Sequence, residues 1–383
     1  MSEKMNNVIF LARWYPHRYD PMFGLFVKRH AEAAAMFNKI TVIYAQPVEN
    51  LEKKFEAETS EDGNLKEIRV YFRKTDNKII SIARFFKAVL KGLKLAPKPD
   101  LIHVHILTRL GIIALIHNIF HKTPYIITEH WSRYLPGNDF GGFLHRKITA
   151  LVVKKAKTVT TVTQNLATAM KNCGLKNDNY IVLPNVVDTN LFKPVEKTRD
   201  DIPHFTNISC FEDKSKNISG LLEAVAILKE KNRKFLCTLI GDGMDFEAMR
   251  QKCHDLGLDD VVKFTGMLEG EDLAETLANQ DFLVISSNYE NLPVVILEAL
   301  SCGLPIVSTD VGGINEVIGD GNGILIRKGQ AETIAAAIDE MFVRYRDFKK
   351  ESLREEIVAK NEKRNVGIFL TKLYDETISM LFR

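Results

Sequence analysis

The amino-acid sequence predicts an α/β protein made of two doubly wound domains, each built on a parallel sheet. Its length of 383 residues exceeds what a single hydrophobic core usually serves, which indicates two domains. Short apolar runs alternate with longer amphipathic stretches along almost the whole chain, in two successive series. Such alternation of strands and helices is typical of parallel sheets that helices cover on both faces.

The predicted strands are short apolar runs bounded by polar or turn-forming residues. In the first series they are NVIFLA, ITVIYA, DLIHVH, PYIITEH and TVTTVT, and in the second HFTNISC, FLCTLIG, VVKFTG, DFLVISS and PIVSTD. Helical patterns between them include FGLFVKRHAEAAAMF, ISGLLEAVAILKEK and EDLAETLANQ. The stretch VENLEKKFEAETSEDGNLKE is too polar for a core, so we interpret it as an excursion from the first sheet.

Prolines and charged residues interrupt this pattern at LPNVVDTNLFKPVEKTRDDIPHF, which predicts a domain boundary. We expect an N-terminal domain over residues 1–184, a linker over 185–203 and a C-terminal domain over 204–360. The final stretch, 361–383, has a helical pattern and is a candidate for returning to the first domain.

Charge is distributed unevenly along the chain. Residues 1–184 carry a net charge of +13 and the remaining residues −10, within an overall net charge of +3. A basic first half suggests an anionic surface or substrate rather than a nucleic acid, and the plainer alternative is that the two halves simply differ. The five cysteines have no paired spacing for a metal or redox site, so we expect free thiols in a reducing cytoplasm.

We expect a cytoplasmic protein that can lie at the membrane surface. The first apolar run, VIFLA, is too short for a signal peptide, and no segment approaches the length of a membrane span. The stretch NKIISIARFFKAVLKGLKLAPK combines lysines with the paired phenylalanines Phe85 and Phe86, which suits an anionic bilayer surface. The alternative is a domain helix whose apolar face is core and whose lysines are solvated.

Two glutamates in SSNYENLPVVILEALSCGLPIVSTDVGG require an explanation. Glu298 lies in the apolar segment VVILEAL, where burying a carboxylate is costly unless it binds something. Glu290 lies in the preceding loop, and Pro293 marks the expected helix start, whose amides near Asn291 and Leu292 form a natural anion site. Carboxylates on either side of an anion site suit a sugar nucleotide. The alternative is that Glu298 pairs with a buried cation and Glu290 is solvated.

Several ordered motifs resemble those of the family 4 retaining glycosyltransferases, over nearly the whole chain. ENLPVVILEALSCGLPIVSTDVGG is similar to the E-x7-E region, WYPHRYDPMFGLFVKRH to the N-terminal glycine loop, TEHWSRYLP to the histidine segment and LPNVVDTNLF to the interdomain linker. DKSKNISGLLEAV and LIGDGMDFEAMR resemble the diphosphate-lysine and second-domain segments. The resemblance implies the GT-B architecture, two Rossmann-like domains facing a central cleft, with the donor held mainly by the second.

The resemblance also implies roles for individual residues. Glu298 would bind the ribose hydroxyls, Glu290 the transferred sugar, and Lys216 would offset charge on the leaving diphosphate. His130, at a strand end, would lie beside the transferred sugar, although a lone strand-end histidine is more often structural. The donor-binding residues implied are Gly24, Gly241, Asn291, Leu292, Pro293 and Glu298.

The chain departs from the family pattern at Phe211, where many members have an arginine five residues before the lysine. Lys214 and Arg13 are candidates for replacing that arginine, or Lys216 alone suffices. His103 and His105 share one strand face without an evident third ligand, which favours structural or acceptor-side roles over metal binding.

The family implies retention at the anomeric carbon. Glu290 is a candidate nucleophile, but we favour a front-face reaction in which the departing phosphate oxygen accepts the acceptor's proton. We expect neither a metal ion nor a cofactor.

The leading hypothesis is transfer of a sugar from a nucleotide donor to a lipid-linked or cell-surface glycan. A sugar-nucleotide epimerase and a catalytically silent sugar-nucleotide-binding relative stay open as alternatives, the second because of Phe211. A nicotinamide dehydrogenase is disfavoured because FLARWYPHRYDPMFG lacks the dinucleotide glycine fingerprint. The sequence leaves open the base, the sugar, the acceptor, the linkage and the oligomeric state.

Overall fold

A computed structural model of the protein describes residues 5–136, 140–196, 202–327 and 329–380. The strands in these ranges are β1 Asn7–Ala12, β2 Lys39–Val48, β3 Phe55–Asp62, β4 Leu65–Arg73, β5 Leu101–His105, β6 Tyr125–Glu129, β7 Thr158–Thr161, β8 Tyr180–Val182, β9 His204–Ile208, β10 Leu236–Ile240, β11 Val262–Gly266, β12 Phe282–Ile285, β13 Ile306–Thr309 and β14 Gly323–Ile326. The helices are α1 Leu25–Ala35, α2 Lys78–Leu95, α3 Arg109–His121, α4 Phe143–Lys155, α5 Gln164–Asn172, α6 Asp213–Lys216, α7 Ile218–Glu230, α8 Phe246–Asp255, α9 Gly270–Ala278, α10 Val294–Ser301, α11 Ala331–Arg344, α12 Lys350–Asn361 and α13 Lys363–Ser379.

The strands form two sheets. The first has the order β3-β4-β2-β1-β5-β6-β7-β8, and all its neighbouring strands are parallel except β3 and β4. The second has the order β11-β10-β9-β12-β13-β14 and is parallel throughout. In both sheets the chain starts in the middle, builds outward and then returns to the other side, which is the Rossmann arrangement. The predicted α/β class with two doubly wound sheets is confirmed.

The chain divides into two compact units. The first comprises residues 1–186 together with 363–383, and the second comprises 187–362. Most of the stretch that we predicted to be a linker, 185–203, therefore falls in the second unit, and its residues 197–201 lie outside the described ranges.

The C-terminal helix α13 packs against α1 of the first unit. A β-carbon at Gly367 would lie 2.4 Å from the carbonyl oxygen of Ala33, so glycine is needed for this close helix contact. At the start of α13, Lys363 Nζ lies 2.9 Å from Glu32 Oε2. Further along, the Tyr374 hydroxyl lies 2.9 Å from His103 Nδ1 in the first sheet.

The polar stretch after β2 is not an excursion from the first sheet, as the sequence analysis predicted, but part of it. Its residues form the edge strand β3, which pairs antiparallel with β4 from Phe55 opposite Phe72 to Asp62 opposite Leu65. An edge strand can be polar because much of its surface faces water, and charged side chains there disfavour pairing with other molecules.

The paired phenylalanines of α2 lie in the core. Phe85 is 8% exposed, Phe86 packs against the same cluster, and Val89 is buried. The membrane interpretation of α2 was therefore wrong about these two rings, and the domain-helix alternative describes them better. Within the described ranges, every helix is too short or too polar to span a bilayer.

Candidate active site

Two loops of the second unit meet at the point where the order of its sheet reverses. The strands β9 and β12 are neighbours in the sheet although they are distant in sequence. Parallel neighbours end at the same edge, so the loops that follow them emerge side by side. Open α/β sheets bind ligands at this edge and at this reversal point. Lys216 lies after β9 and Glu290 after β12.

Lys216 and Glu290 form an ion pair in this position. Lys216 Nζ lies 2.6 Å from Glu290 Oε1, and the two side chains are only 18% and 11% exposed. Burial by itself lowers the pKa of Lys216, but the charge of Glu290 and the hydrogen bond to it outweigh burial, so the net pKa is raised. Lys216 is therefore an ammonium at neutral pH, as charge stabilisation of a phosphate requires.

Serine hydroxyls hold the two loops together. Ser287 Oγ donates to Glu290 Oε1 at 2.8 Å, which fixes the carboxylate from a second side. Ser286 Oγ donates to the carbonyl oxygens of Lys216 and Asn217 at 3.0 and 3.1 Å. The sequence analysis missed both serines. The signal was their position at the end of a predicted strand, where a polar residue faces the ligand edge.

The loop after β13 packs against the Glu290 loop. Gly312 has a left-handed φ of 63°, and a β-carbon there would lie 2.1 Å from the carbonyl oxygen of Glu290. The next amide, Gly313 N–H, donates to the Asn291 carbonyl at 2.8 Å. A side chain at Gly312 would therefore displace the backbone that positions Glu290.

Helix α10 follows the Glu290 loop and carries Glu298. The helix begins at Val294, directly after Asn291, Leu292 and Pro293, so the predicted helix start is correct within one residue. Its first amides have no intrahelical acceptor and carry the positive end of the helix dipole. Glu298 is 3% exposed in an otherwise apolar helix. The second unit thus places an ammonium, a carboxylate and a helix N-terminus at one edge of the sheet, and Glu298 lies in the second turn of that helix.

Phe211 belongs to the hydrophobic core. It is fully buried, with its ring centroid 5.0 Å from that of Phe246 and 6.0 Å from that of Phe264. The position where many family members have an arginine therefore serves packing in this chain. Gly241 explains the tight turn beside it, because a β-carbon there would lie 1.9 Å from the Ser209 carbonyl oxygen. Lys214 is exposed, and its carbonyl accepts from Asn288 Nδ2 at 3.2 Å.

In the first unit, His130 follows β6 directly and is held there by a buried carboxylate. Glu129 Oε1 accepts from the amides of His130 at 2.9 Å and Trp131 at 2.8 Å, while Oε2 accepts from the amide of Leu107 at 2.9 Å. Burial raises the pKa of Glu129 to about 7 although these three amides oppose the rise. Glu129 thereby ties the loops after β5 and β6 together. The sequence analysis missed this carboxylate, whose signal was an acid at the end of an apolar strand.

His130 belongs to a cluster of four histidines, with His30, His103 and His105. Ring centroids of His103 and His105 lie 4.1 Å apart, those of His30 and His130 5.4 Å, and those of His105 and His130 5.8 Å. Burial, followed by the charges of the neighbouring histidines, holds the pKa of His103, His105 and His130 well below the ordinary value. These three rings are therefore neutral at pH 7.

The backbone conformation and close packing at position 24 require a glycine. Its φ is 70°, and a β-carbon would lie 2.4 Å from the Trp14 carbonyl carbon and 2.6 Å from the Tyr15 nitrogen. The helix that it begins carries Phe26, whose ring centroid lies 4.7 Å from that of His130. Gly24 and His130 therefore belong to the same edge of the first sheet.

Histidines, cysteines and acids are the residues that could ligate a metal ion in either unit. Across residues 5–136, 140–196, 202–327 and 329–380, three or more such residues nowhere come together in a way that could hold a metal ion.

Two family models match the chain in succession. Residues 27–191 match Glycosyltransferase Family 4, and residues 190–364 match Glycosyl transferases group 1. Among curated proteins, a glycosyltransferase of Bacillus subtilis named for teichuronic acid biosynthesis, TuaC, is 28% identical over 67% of this chain and 64% of its own length. The N-acetyl-alpha-D-glucosaminyl L-malate synthase of Bacillus anthracis is 30% identical over 48% of this chain and 49% of its own length. The match therefore spans from about half to just under two thirds of the length of these relatives.

Solved structures show the same fold at low sequence identity. The sucrose-phosphate synthase of Thermosynechococcus elongatus has a TM-score of 0.80 at 16% identity and covers 98% of this chain and 100% of its own. HepE of Anabaena, solved in complex with UDP and glucose, has a TM-score of 0.72 at 17% identity and covers 97% and 100%. The chain belongs to glycosyltransferase family 4 and has the two Rossmann-like domains of the GT-B fold.

Proposed function

We propose that this protein is a retaining, metal-independent glycosyltransferase that moves a hexosyl unit from a nucleotide sugar to a lipid-linked or cell-surface glycan. The observation that carries the proposal is the ion pair of Lys216 and Glu290, held at the reversal point of the second sheet and followed in helix α10 by the buried Glu298. An ammonium, two hydroxyl-binding carboxylates and a helix N-terminus match the diphosphate, sugar and ribose of one donor.

In the proposed reaction, Lys216 stabilises the negative charge that grows on the diphosphate as the glycosidic bond breaks. The departing phosphate oxygen accepts the proton of the acceptor hydroxyl, which attacks from the same face of the sugar. Glu290 orients the sugar hydroxyls, and Glu290→Gln is expected to keep turnover if the carboxylate is no nucleophile. Proton NMR of the product formed in the presence of EDTA tests both retention and metal independence.

Glu298→Ala is expected to abolish selective nucleotide binding, because the variant removes the buried carboxylate that would accept both ribose hydroxyls. Hydrogen bonds to a charged group contribute about 1.5–3 kcal/mol each, so the affinity should fall about a hundredfold. Calorimetric titration against UDP, GDP, ADP, CMP and their sugar conjugates measures this and identifies the base.

Glu332→Ala, at an exposed acid of the same unit, is the matched control and should bind nucleotide normally. If the unaltered protein turns over no acceptor although it binds a donor, the silent relative becomes the better description. A new sugar epimer formed from the donor alone would favour the epimerase.

The proposed acceptor side lies at an anionic membrane surface, and helix α4 is the element that fits this role best. Its apolar residues on one side are exposed: Phe143 73%, Leu144 70%, Ile148 36% and Leu151 49%. Lys147, Lys154 and Lys155 lie on the same side of the helix, opposite the buried Val152 and Val153. An exposed apolar stripe interleaved with lysines is complementary to an anionic bilayer interface.

The variant Phe143→Ala/Leu144→Ala is expected to bind anionic liposomes about tenfold more weakly or worse, since it removes two large apolar side chains from the interface. Sedimentation with phosphatidylglycerol vesicles at low and high salt measures the binding, which salt should weaken. Val343→Ala, 75% exposed in the second unit, is the control. Loss of binding in Ile79→Ala/Ile80→Ala instead would assign the contact to α2.

A further inference from the structure

The carboxyl edge of the first sheet has its own reversal point, between β1 and β5. The loops after these strands are joined there, because the amide of Arg13 donates to the His105 carbonyl at 3.2 Å. The chain then turns sharply at Ile106, whose left-handed φ of 68° is unusual for a β-branched residue, and enters α3. By position in the sheet order, α3 corresponds to α10 of the second unit, where the donor's phosphates are proposed to bind.

The N-terminus of α3 is the positive end of the helix dipole. The helix has no acid in its first turn, and its preceding residue, Thr108, makes no side-chain capping bond. The Thr108 hydroxyl is buried without a hydrogen-bond partner in the described part of the chain. The amides of the first turn and this hydroxyl are therefore available to an anion.

Three arginines share this edge, one from each of three successive loops: Arg13 after β1, Arg109 after β5 and Arg133 after β6. Over residues 5–136 and 140–196, none of the three has a carboxylate within 4.0 Å of its guanidinium. Arg133 donates from Nη2 to the Phe140 carbonyl at 2.7 Å and stacks over Trp131, but its buried Nε has no hydrogen-bond partner among the described residues.

The positive groups are close enough to affect one another. Burial and the charge of Arg109 lower the pKa of Arg13, while burial and the charges of Arg133 and Arg109 lower that of His145. The nearest acid, Glu129, interacts with Arg133, but its two oxygens are engaged by three backbone amides. Arg13 and Arg133 are partly buried and Arg109 is exposed, and guanidinium groups clustered without ion-pair partners indicate a site that binds an anion.

We propose that Arg13, Arg109 and Arg133, with the N-terminus of α3, bind a phosphate or diphosphate ester carried by the acceptor. Arginine forks match phosphate oxygens bidentately, and three of them suit a group with more than one negative charge. This inference rests on the proposed function, because it assigns the anion to the acceptor rather than to the donor. The ester belongs either to a lipid-linked diphosphate or to a soluble phosphorylated acceptor.

The experiment is calorimetric titration of the full chain with inorganic pyrophosphate in the Lys216→Ala background, which removes the ammonium of the second unit. Pyrophosphate should bind this protein, and adding Arg109→Ala and Arg133→Gln should weaken binding about tenfold or more for each arginine. Glutamine at Arg133 keeps a donor for the Phe140 carbonyl. Lys98→Ala, at an exposed cation of the same unit, should bind as the background does.

Unchanged pyrophosphate affinity in the arginine variants, with an unchanged circular dichroism spectrum, would overturn the proposal. So would failure of pyrophosphate to bind the Lys216→Ala protein at low salt. Geranyl diphosphate and glycerol 3-phosphate distinguish the two sources, since tighter binding of one assigns the ester to a lipid or to a soluble acceptor. Nucleotide binding and its loss in Glu298→Ala are measured separately, so failure of the proposed function is seen independently of this site.

Discussion

Lys216→Ala is expected to lower kcat by about a hundredfold to a thousandfold, which is the usual effect of removing one group that stabilises transition-state charge. The effect should be large for two reasons. The variant removes the ammonium that we propose stabilises the leaving diphosphate, and it leaves the carboxylate of Glu290 buried without its cation, 11% exposed and held by Ser287. An unpaired buried carboxylate repels the very group whose charge must be stabilised. Steady-state kinetics with the donor identified by titration measures the loss.

The double variant Lys216→Ala/Glu290→Gln separates these two reasons. If repulsion by the unpaired carboxylate contributes, the double variant should recover about tenfold over Lys216→Ala, which is a coupling of about 1.4 kcal/mol. Lys231→Ala, at an exposed lysine of the same unit, is the control and should turn over normally. Near-normal kcat in Lys216→Ala would show that this residue has no essential catalytic role. Another residue would then have to replace the arginine that many family members have at the position of Phe211.

The fold class could be predicted from the sequence because buried parallel strands consist of uninterrupted apolar runs. All ten predicted strands are present, from NVIFLA as β1 to PIVSTD as β13. Of the missed strands, β3 and β4 lack that signal, whereas β8 and β14 are short apolar runs. In β4, LKEIRVYFR, charges alternate with apolar residues, while β8 has three residues and β14 four. The edge strand β3 was misread because much of an edge faces water.

The candidate site could be predicted only in part. Lys216 and Glu290 are 74 residues apart, and their contact follows from strand order, which apolar runs do not reveal. The motifs singled out both residues, but not the serine hydroxyls that join their loops or the carbonyl that excludes a side chain at Gly312. The sequence drew attention to the basic stretch of α2 and not to the exposed apolar stripe of α4. Composition alone does not show which face of a helix is buried against the sheet.

The buried histidines predict a steep loss of stability of the first unit in acid. The pKa of His103, His105 and His130 is held well below 6.5, so below that pH the unfolded chain takes up protons that the folded protein does not. Each such group lowers the free energy of unfolding by about 1.4 kcal/mol for each further pH unit. Glu129 acts in the opposite direction, since its raised pKa of about 7 lets the folded state bind a proton first. For these three histidines and Glu129 together, the net loss below pH 6.5 should be about 3 kcal/mol per pH unit. His30, whose pKa is also lowered by burial, adds to this loss.

His105→Phe is the variant that isolates this effect. Both ring nitrogens of His105 are buried without a hydrogen-bond partner in the described residues, and the ring stacks on Phe10 at 4.4 Å, so phenylalanine replaces an unsatisfied polar group with an apolar one. The variant should gain about 1.4 kcal/mol of stability relative to the unaltered protein for each pH unit below 6.5. Any cost of fitting the larger ring would shift the difference equally at every pH, so the slope is the diagnostic quantity.

Urea unfolding at pH 7.5, 6.5 and 5.5, followed by tryptophan fluorescence, measures this slope for the first unit alone. The two tryptophans of the chain, Trp14 and Trp131, both lie there, with ring centroids 5.3 Å apart and Trp131 next to His130. Lys98→Ala, at an exposed lysine of the same unit, should leave the slope unchanged. Equal slopes for His105→Phe and the unaltered protein would mean that the cluster takes up protons without unfolding. Neutral histidine rings would then not be required for the folded structure of the sheet edge that carries His130.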